Sequence, residues 1–106
     1  MQNIRVAFVT LPVDEARDLA RGLVDHRLAA CVNIVPKVES FFWWDDTVQQ
    51  ETEAMLIIKT TQARLDKLIS YVRDEHPYDV PEIITVPVAE GLPDYINWVI
   101  EETGKA

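Results

Sequence analysis

The sequence predicts an α+β fold in which four antiparallel strands form one sheet, two helices cover it and a third helix closes the chain. Three observations carry that expectation. Apolar residues switch between a period of two and a period of about 3.6 in the order β-α-β-β-α-β-α. Two prolines, Pro36 and Pro87, fall inside the second and fourth strands, and the first and third strands contain none. One extended region is too long for a single domain of 106 residues.

Ile4 to Thr10 alternates and is rich in β-branched residues, the pattern of a buried strand. Pro12, Asp14 and Glu15 then open a helix, the acids matching its positive end. Ala16, Leu19, Ala20 and Leu23 recur at i, i+3, i+4 and i+7 and share one face, with His26 and Arg27 in the last turn. Ala29 to Trp44 is extended, turns at Asp45–Asp46–Thr47 and returns as Val48 to Lys59. Thr60 or Thr61 caps the next helix, whose stripe is Leu65, Leu68, Ile69 and Val72. Pro77 stops that helix near Glu75, because a residue before proline avoids the α region. Glu82 to Glu90 reads as the fourth strand, and "LPDYINWVIEE" as a terminal helix with Pro93 in its first turn.

Proline cannot donate to a sheet ladder, so it belongs on edge strands or at bulges. Strands two and four are therefore outside and one and three inside. The resulting order, 4-1-3-2, is that of a ferredoxin-like β-α-β-β-α-β sandwich, which right-handed crossovers also favour.

The hairpin between strands two and three raises a problem of size. Residues 29–44 in one strand would reach roughly 50 Å at about 3.3 Å each, whereas a domain of about 100 residues has a radius of gyration near 13 Å. The hairpin must bend at Pro36 or project. Its end carries Phe41, Phe42, Trp43 and Trp44 in succession, so large rings stand on both faces. Burying one such ring is worth about 2–3 kcal/mol, and leaving four in water invites aggregation. Another copy of the chain is the expected cover, with these four residues at the interface.

Composition narrows the partners. The chain is expected to be one domain over residues 1–106, with 48% hydrophobic and 26% charged residues, which are globular values. A net charge of −8 argues against nucleic acid or an anionic membrane, both of which need clustered Lys and Arg. It also disfavours an RNA-binding sheet of the same strand order, since the aromatic and basic third-strand motif is missing. A single cysteine, Cys31, permits no intrachain disulfide, and the N-terminus reads as a strand and not a signal peptide, so a cytoplasmic location is expected. With three glycines there is no phosphate-binding loop, and no Gly-x-Ser-x-Gly elbow is present, so no enzymatic reaction is expected.

Candidate metal ligands are few. Cys31 lies in an apolar run and reads as a small core residue. His26 reads as helix surface, and His76 precedes Pro77 and Tyr78 in a loop as a cap or a solvated side chain. The strand order puts Cys31 at the end of the sheet opposite His76, whose neighbours become the residues ending strand one, Val9 and Thr10. Glu51, Glu53, Lys59, Thr60, Tyr78 and Glu82 are the other polar signals, either as ion pairs and caps or as a pocket between subunits.

Five segments, "LAACVNIVP", "SFFWW", "QETEAMLIIKTT", "HPYDVPEI" and "YINW", stand in the order and spacing of the CutA divalent-cation tolerance family, which the chain resembles over nearly its whole length. The resemblance implies a tight homotrimer knitted by the long hairpins, similar to PII-like signalling trimers. It further implies a non-enzymatic role tied to metal ions, chiefly copper. Two departures matter. Family members often carry tyrosine where Phe42 stands and a glycine-containing turn where Asp45–Asp46 stands. Members with a proposed copper site carry cysteine at the position of Val9 and histidine at that of Glu75. Only His76 remains of that set, so weak binding of copper or another divalent cation is the expectation. The alternative reading is a PII-like sensor holding a small anionic ligand between subunits, near Glu51, Lys59, Tyr78 and Glu82.

Overall fold

The computed structural model describes residues 3–105. The chain runs through β1 (Ile4–Leu11), a 3-10 turn (Val13–Glu15), α1 (Ala16–Asp25), β2 (Cys31–Trp44), β3 (Thr47–Thr61), a second 3-10 turn (Gln62–Arg64), α2 (Leu65–Glu75), β4 (Ile83–Pro87) and α3 (Pro93–Gly104). The sheet order is β2-β3-β1-β4, every neighbouring pair antiparallel. It is the predicted 4-1-3-2 order seen from the other edge. Pro87 ends the outer strand β4, and Pro36 lies where the β2–β3 register slips between Val35 and Val38. Both prolines thus sit where no ladder hydrogen bond is lost.

Alternation along the strands divides the sheet into two unequal faces. Ala7, Val9 and Leu11 of β1 and Ala54, Leu56 and Ile58 of β3 pack under α1 and α2. Those helices contribute Ala16, Leu19, Ala20 and Leu23 from one, and Leu68 and Val72 from the other. Gly22 leaves room for the Tyr71 side chain of α2, whose hydroxyl a Cβ there would meet. On the opposite face α3 covers one end only, where Ile96 and Val99 bury Ile4. The remainder of that face, including Phe8, Met55 and Ile57, is half-buried, and Ile84 and Val86 are exposed.

Several boundaries differ from the sequence expectation. Val13–Glu15 and Gln62–Arg64 form 3-10 turns ahead of both main helices, so α1 begins after the acids that were expected to open it. Thr60 remains inside β3, where its buried hydroxyl donates to the Leu28 carbonyl at 2.7 Å. Thr61 stands at the cap position without a side-chain bond to the helix. His26 is the C-cap of α1 and Arg27 lies beyond it with φ of 60°, a left-handed residue that ends the helix. Arg27 is held there by an ion pair with Glu102 at 2.7 Å, and the Lys105 ammonium with that guanidinium lowers the Glu102 carboxyl below its ordinary pKa. Cys31 is half-buried and not a core residue, because its place on β2 faces the sheet side that only α3 partly covers. Strand β4 is shorter, and α3 longer, than predicted.

The ladder between β1 and β3 stops at Leu11 and Ala54. Beyond that point residues 38–44 and 47–53 pair only with one another. The result is a two-stranded ribbon that projects, giving overall dimensions of 44 × 26 × 22 Å. The hairpin therefore both shifts register at Pro36 and outgrows the globule.

Candidate functional site

Two regions stand out, the ribbon tip and the corner where α2 meets the end of β1. At the tip Asp45 and Asp46 both adopt positive φ, 54° and 59°, the backbone of a type I′ turn that matches the twist of the flanking strands. Trp43 and Trp44 pair across with Val48 and Thr47. Within the chain the rings are left largely open: Phe41 is 68% exposed, Trp43 74% and Trp44 56%, with Phe42 the least open.

At the corner, Pro77 forces His76 out of the helix into extended backbone, and the imidazole turns inward. His76 is buried. Its Nε2 lies 2.7 Å from the Thr10 carbonyl, and its Nδ1 accepts the Tyr78 backbone N–H at 3.1 Å. Because a backbone amide can only donate, the ring proton belongs on Nε2, which donates to Thr10. Both ring nitrogens are thereby occupied. The Tyr78 ring packs on the imidazole with centroids 4.8 Å apart. Its hydroxyl donates to Glu53 Oε2 at 3.1 Å. Burial, then the bond and charge of Glu53, with smaller contributions from Glu51 and Glu15, push the Tyr78 phenol up to about 12.

The sequence-predicted residues distribute as follows. His76 meets Thr10, as the strand order required. Val9 is fully buried under the helices and Glu75 is exposed at the end of α2. Among the described residues no three His, Cys, Asp or Glu side chains are arranged to hold a metal ion. Glu51 shares the Tyr78 corner, and Glu82 is exposed in the loop before β4. Lys59 lies near the far end of β3, its ammonium on the Asn33 side-chain oxygen. Cys31 pairs with Lys59 at that same end, remote from His76. A single chain thus does not gather Glu51, Lys59, Tyr78 and Glu82 into one pocket.

Glu53 is the residue that sequence reasoning undervalued. It is 4% exposed, although it is an acid in the third strand. The signal was its parity: residues 53, 55 and 57 share one face, so the acid at 53 stands in line with the apolar Met55 and Ile57.

Comparison with known proteins agrees with this architecture. The family model described as CutA1 divalent ion tolerance protein matches residues 5–102. The Divalent-cation tolerance protein CutA of Thermus thermophilus is 46% identical over 100 residues, covering 93% of this chain and 97% of that protein. The Protein CutA homolog of Xenopus laevis is 44% identical over 98 residues, 92% of this chain but 65% of the relative, and the chain spans 56% of the chloroplastic rice protein. The solved Thermus thermophilus structure superposes with a TM-score of 0.93 at 45% identity, covering 95% of this chain and 99% of that one. A structure described as PII-like protein CutA from Nostoc in apo form gives 0.89 at 32% identity, covering 93% and 96%. A hairpin-bearing sheet of this order, matched along nearly its full length by sequence and by backbone, places the chain in the CutA1 divalent ion tolerance family.

Proposed function

We propose that this protein acts without chemistry of its own, as a cytoplasmic homotrimer whose subunits are joined through the projecting ribbon and the uncovered sheet face. The observation that carries this reading is the ribbon tip, where four consecutive aromatic residues stand exposed on strands supported by no third strand. A two-stranded ribbon is marginal alone in water, and covering its rings by other copies supplies the missing stabilisation. Membership of the tolerance family supports the connection to divalent ions, and the count of three is taken from the resemblance drawn in the sequence analysis. The single cysteine suits the reducing cytoplasm.

The test is Trp44→Glu. A carboxylate placed in an apolar interface without a partner costs several kcal/mol, so a loss of about 3 kcal/mol should raise the dissociation constant more than a hundredfold. Mass photometry should then show lighter species at concentrations where the parent is assembled. Unchanged mass would remove the ribbon from the interface.

The link to metal ions in this reading is weak and direct only at His76. A copper ion there must displace either Thr10 or the Tyr78 amide from the imidazole, and neither cysteine nor a second histidine assists. Calorimetric titration with copper should therefore give a dissociation constant no tighter than micromolar, with the heat reduced in His76→Ala. Tight binding, or heat that His76→Ala leaves untouched, would overturn this assignment.

A further inference from the structure

We infer that the loop between α2 and β4, residues 76–82, is a strap that holds the ribbon at a fixed angle to the sheet, with Tyr78 as its link. The ribbon is free to swing at its base without one. The β1–β3 ladder stops at Leu11 and Ala54, so Glu53 begins the part that no third strand supports. At the same level Pro36 and Lys37 are skipped in the β2–β3 register, a bulge of the kind that bends and twists a strand pair. Third strand and regular pairing are thus lost together. Residues 38–44 then run about 23 Å outward, so a swing of about 10° at the base carries the tip about 4 Å. A packed contact tolerates far less.

Glu53 is where the swing is stopped. It is buried, although Gln50, Glu51 and Thr52 just beyond it are exposed. Its carboxylate accepts the Tyr78 hydroxyl at 3.1 Å. Among the described residues this is the one side-chain hydrogen bond that ties residues 38–53 to anything outside the ribbon. Tyr78 is itself fixed. Pro77 and Pro81 stiffen the backbone on either side, its N–H is held by His76 Nδ1, and its ring lies on the imidazole. His76 in turn donates to the Thr10 carbonyl, and Thr10 pairs with Met55, two residues from Glu53. The path from Met55 through Thr10, His76 and Tyr78 to Glu53 therefore closes a ring of bonds around Ala54, the residue opposite the bulge. What the strap serves rests on the proposed assembly: a ribbon already held in one direction meets its sister copies without first being ordered.

Amide hydrogen exchange tests this by comparing Trp44→Glu with Trp44→Glu/Tyr78→Phe. In that background the ribbon is read uncovered: either the variant has dissociated, or its unchanged mass has already put the ribbon outside the interface. Loss of a hydrogen bond to a carboxylate should speed exchange about tenfold at residues 38–41 and 49–53. Amides of Leu56 to Ile58, inside the three-strand ladder, should keep their rates, which general destabilisation would not allow. Glu53→Met, which removes the acceptor instead, should speed the same ribbon amides, and the two changes together should do little more than either. Ribbon amides that exchange at one rate with and without the phenol, or that are unprotected from the start, would overturn the strap and leave the assembly standing. So would effects that multiply, or a speeding that extends into Leu56 to Ile58. A wild type that is monomeric at micromolar concentration would overturn the assembly and leave the strap.

Discussion

Tyr78 shows how a single side chain reports on its surroundings. Its phenol is raised from the ordinary 10.0 to about 12 by burial first and by Glu53 second. The folded state therefore holds the proton more tightly than the unfolded chain. Its contribution to stability is complete below pH about 10 and is lost as pH climbs towards about 12. Denaturation midpoints across that interval should fall more steeply for the wild type than for Tyr78→Phe; parallel curves would contradict the assignment. The meeting of His76 with Thr10 was legible in the sequence because Pro77 ends the helix there and strand order puts Thr10 nearby, whereas its burial and its contacts with Tyr78 were not. Glu53 was less legible. An acid within a strand normally marks the solvent side, and the Tyr78 loop that covers Glu53 is not announced by strand periodicity.

Elements were legible where periodicity or proline set them. The stripe Ala16, Leu19, Ala20 and Leu23 is buried as the spacing demanded, and Pro36 and Pro87 fixed the order of strands. The 3-10 turns before α1 and α2 were not, since a turn with i+3 bonds uses the same residues as the first turn of an α-helix. Thr60 misled for a related reason: a hydroxyl suited to capping serves the Leu28 carbonyl instead. At the ribbon tip the Asp45–Asp46 pair signalled a turn but not its strain. Left-handed backbone is tolerated by aspartate and free for glycine. Asp46, at φ 59°, should therefore gain from Asp46→Gly. A stabilisation of about 0.5–1 kcal/mol is expected, read as a raised thermal midpoint. An unchanged or lowered midpoint would mean that the turn changes its backbone when the molecule assembles.

For the whole molecule, shape decides what composition leaves open. An acidic chain with ordinary hydrophobic content gives no hint of quaternary structure, whereas a strand longer than its own globule does. The β1–β3 ladder ends at Leu11 and Ala54, and everything beyond stands without a third strand. Ile84 and Val86 are exposed on β4 as well, so apolar side chains stand open both at the tip and on the sheet. The central claim is that sister copies occupy that surface. Sedimentation velocity of the unmodified protein at micromolar concentration tests it most directly. The account predicts one species of about 36 kDa, three chains of 12.1 kDa each; a stable species at the mass of one chain would contradict it.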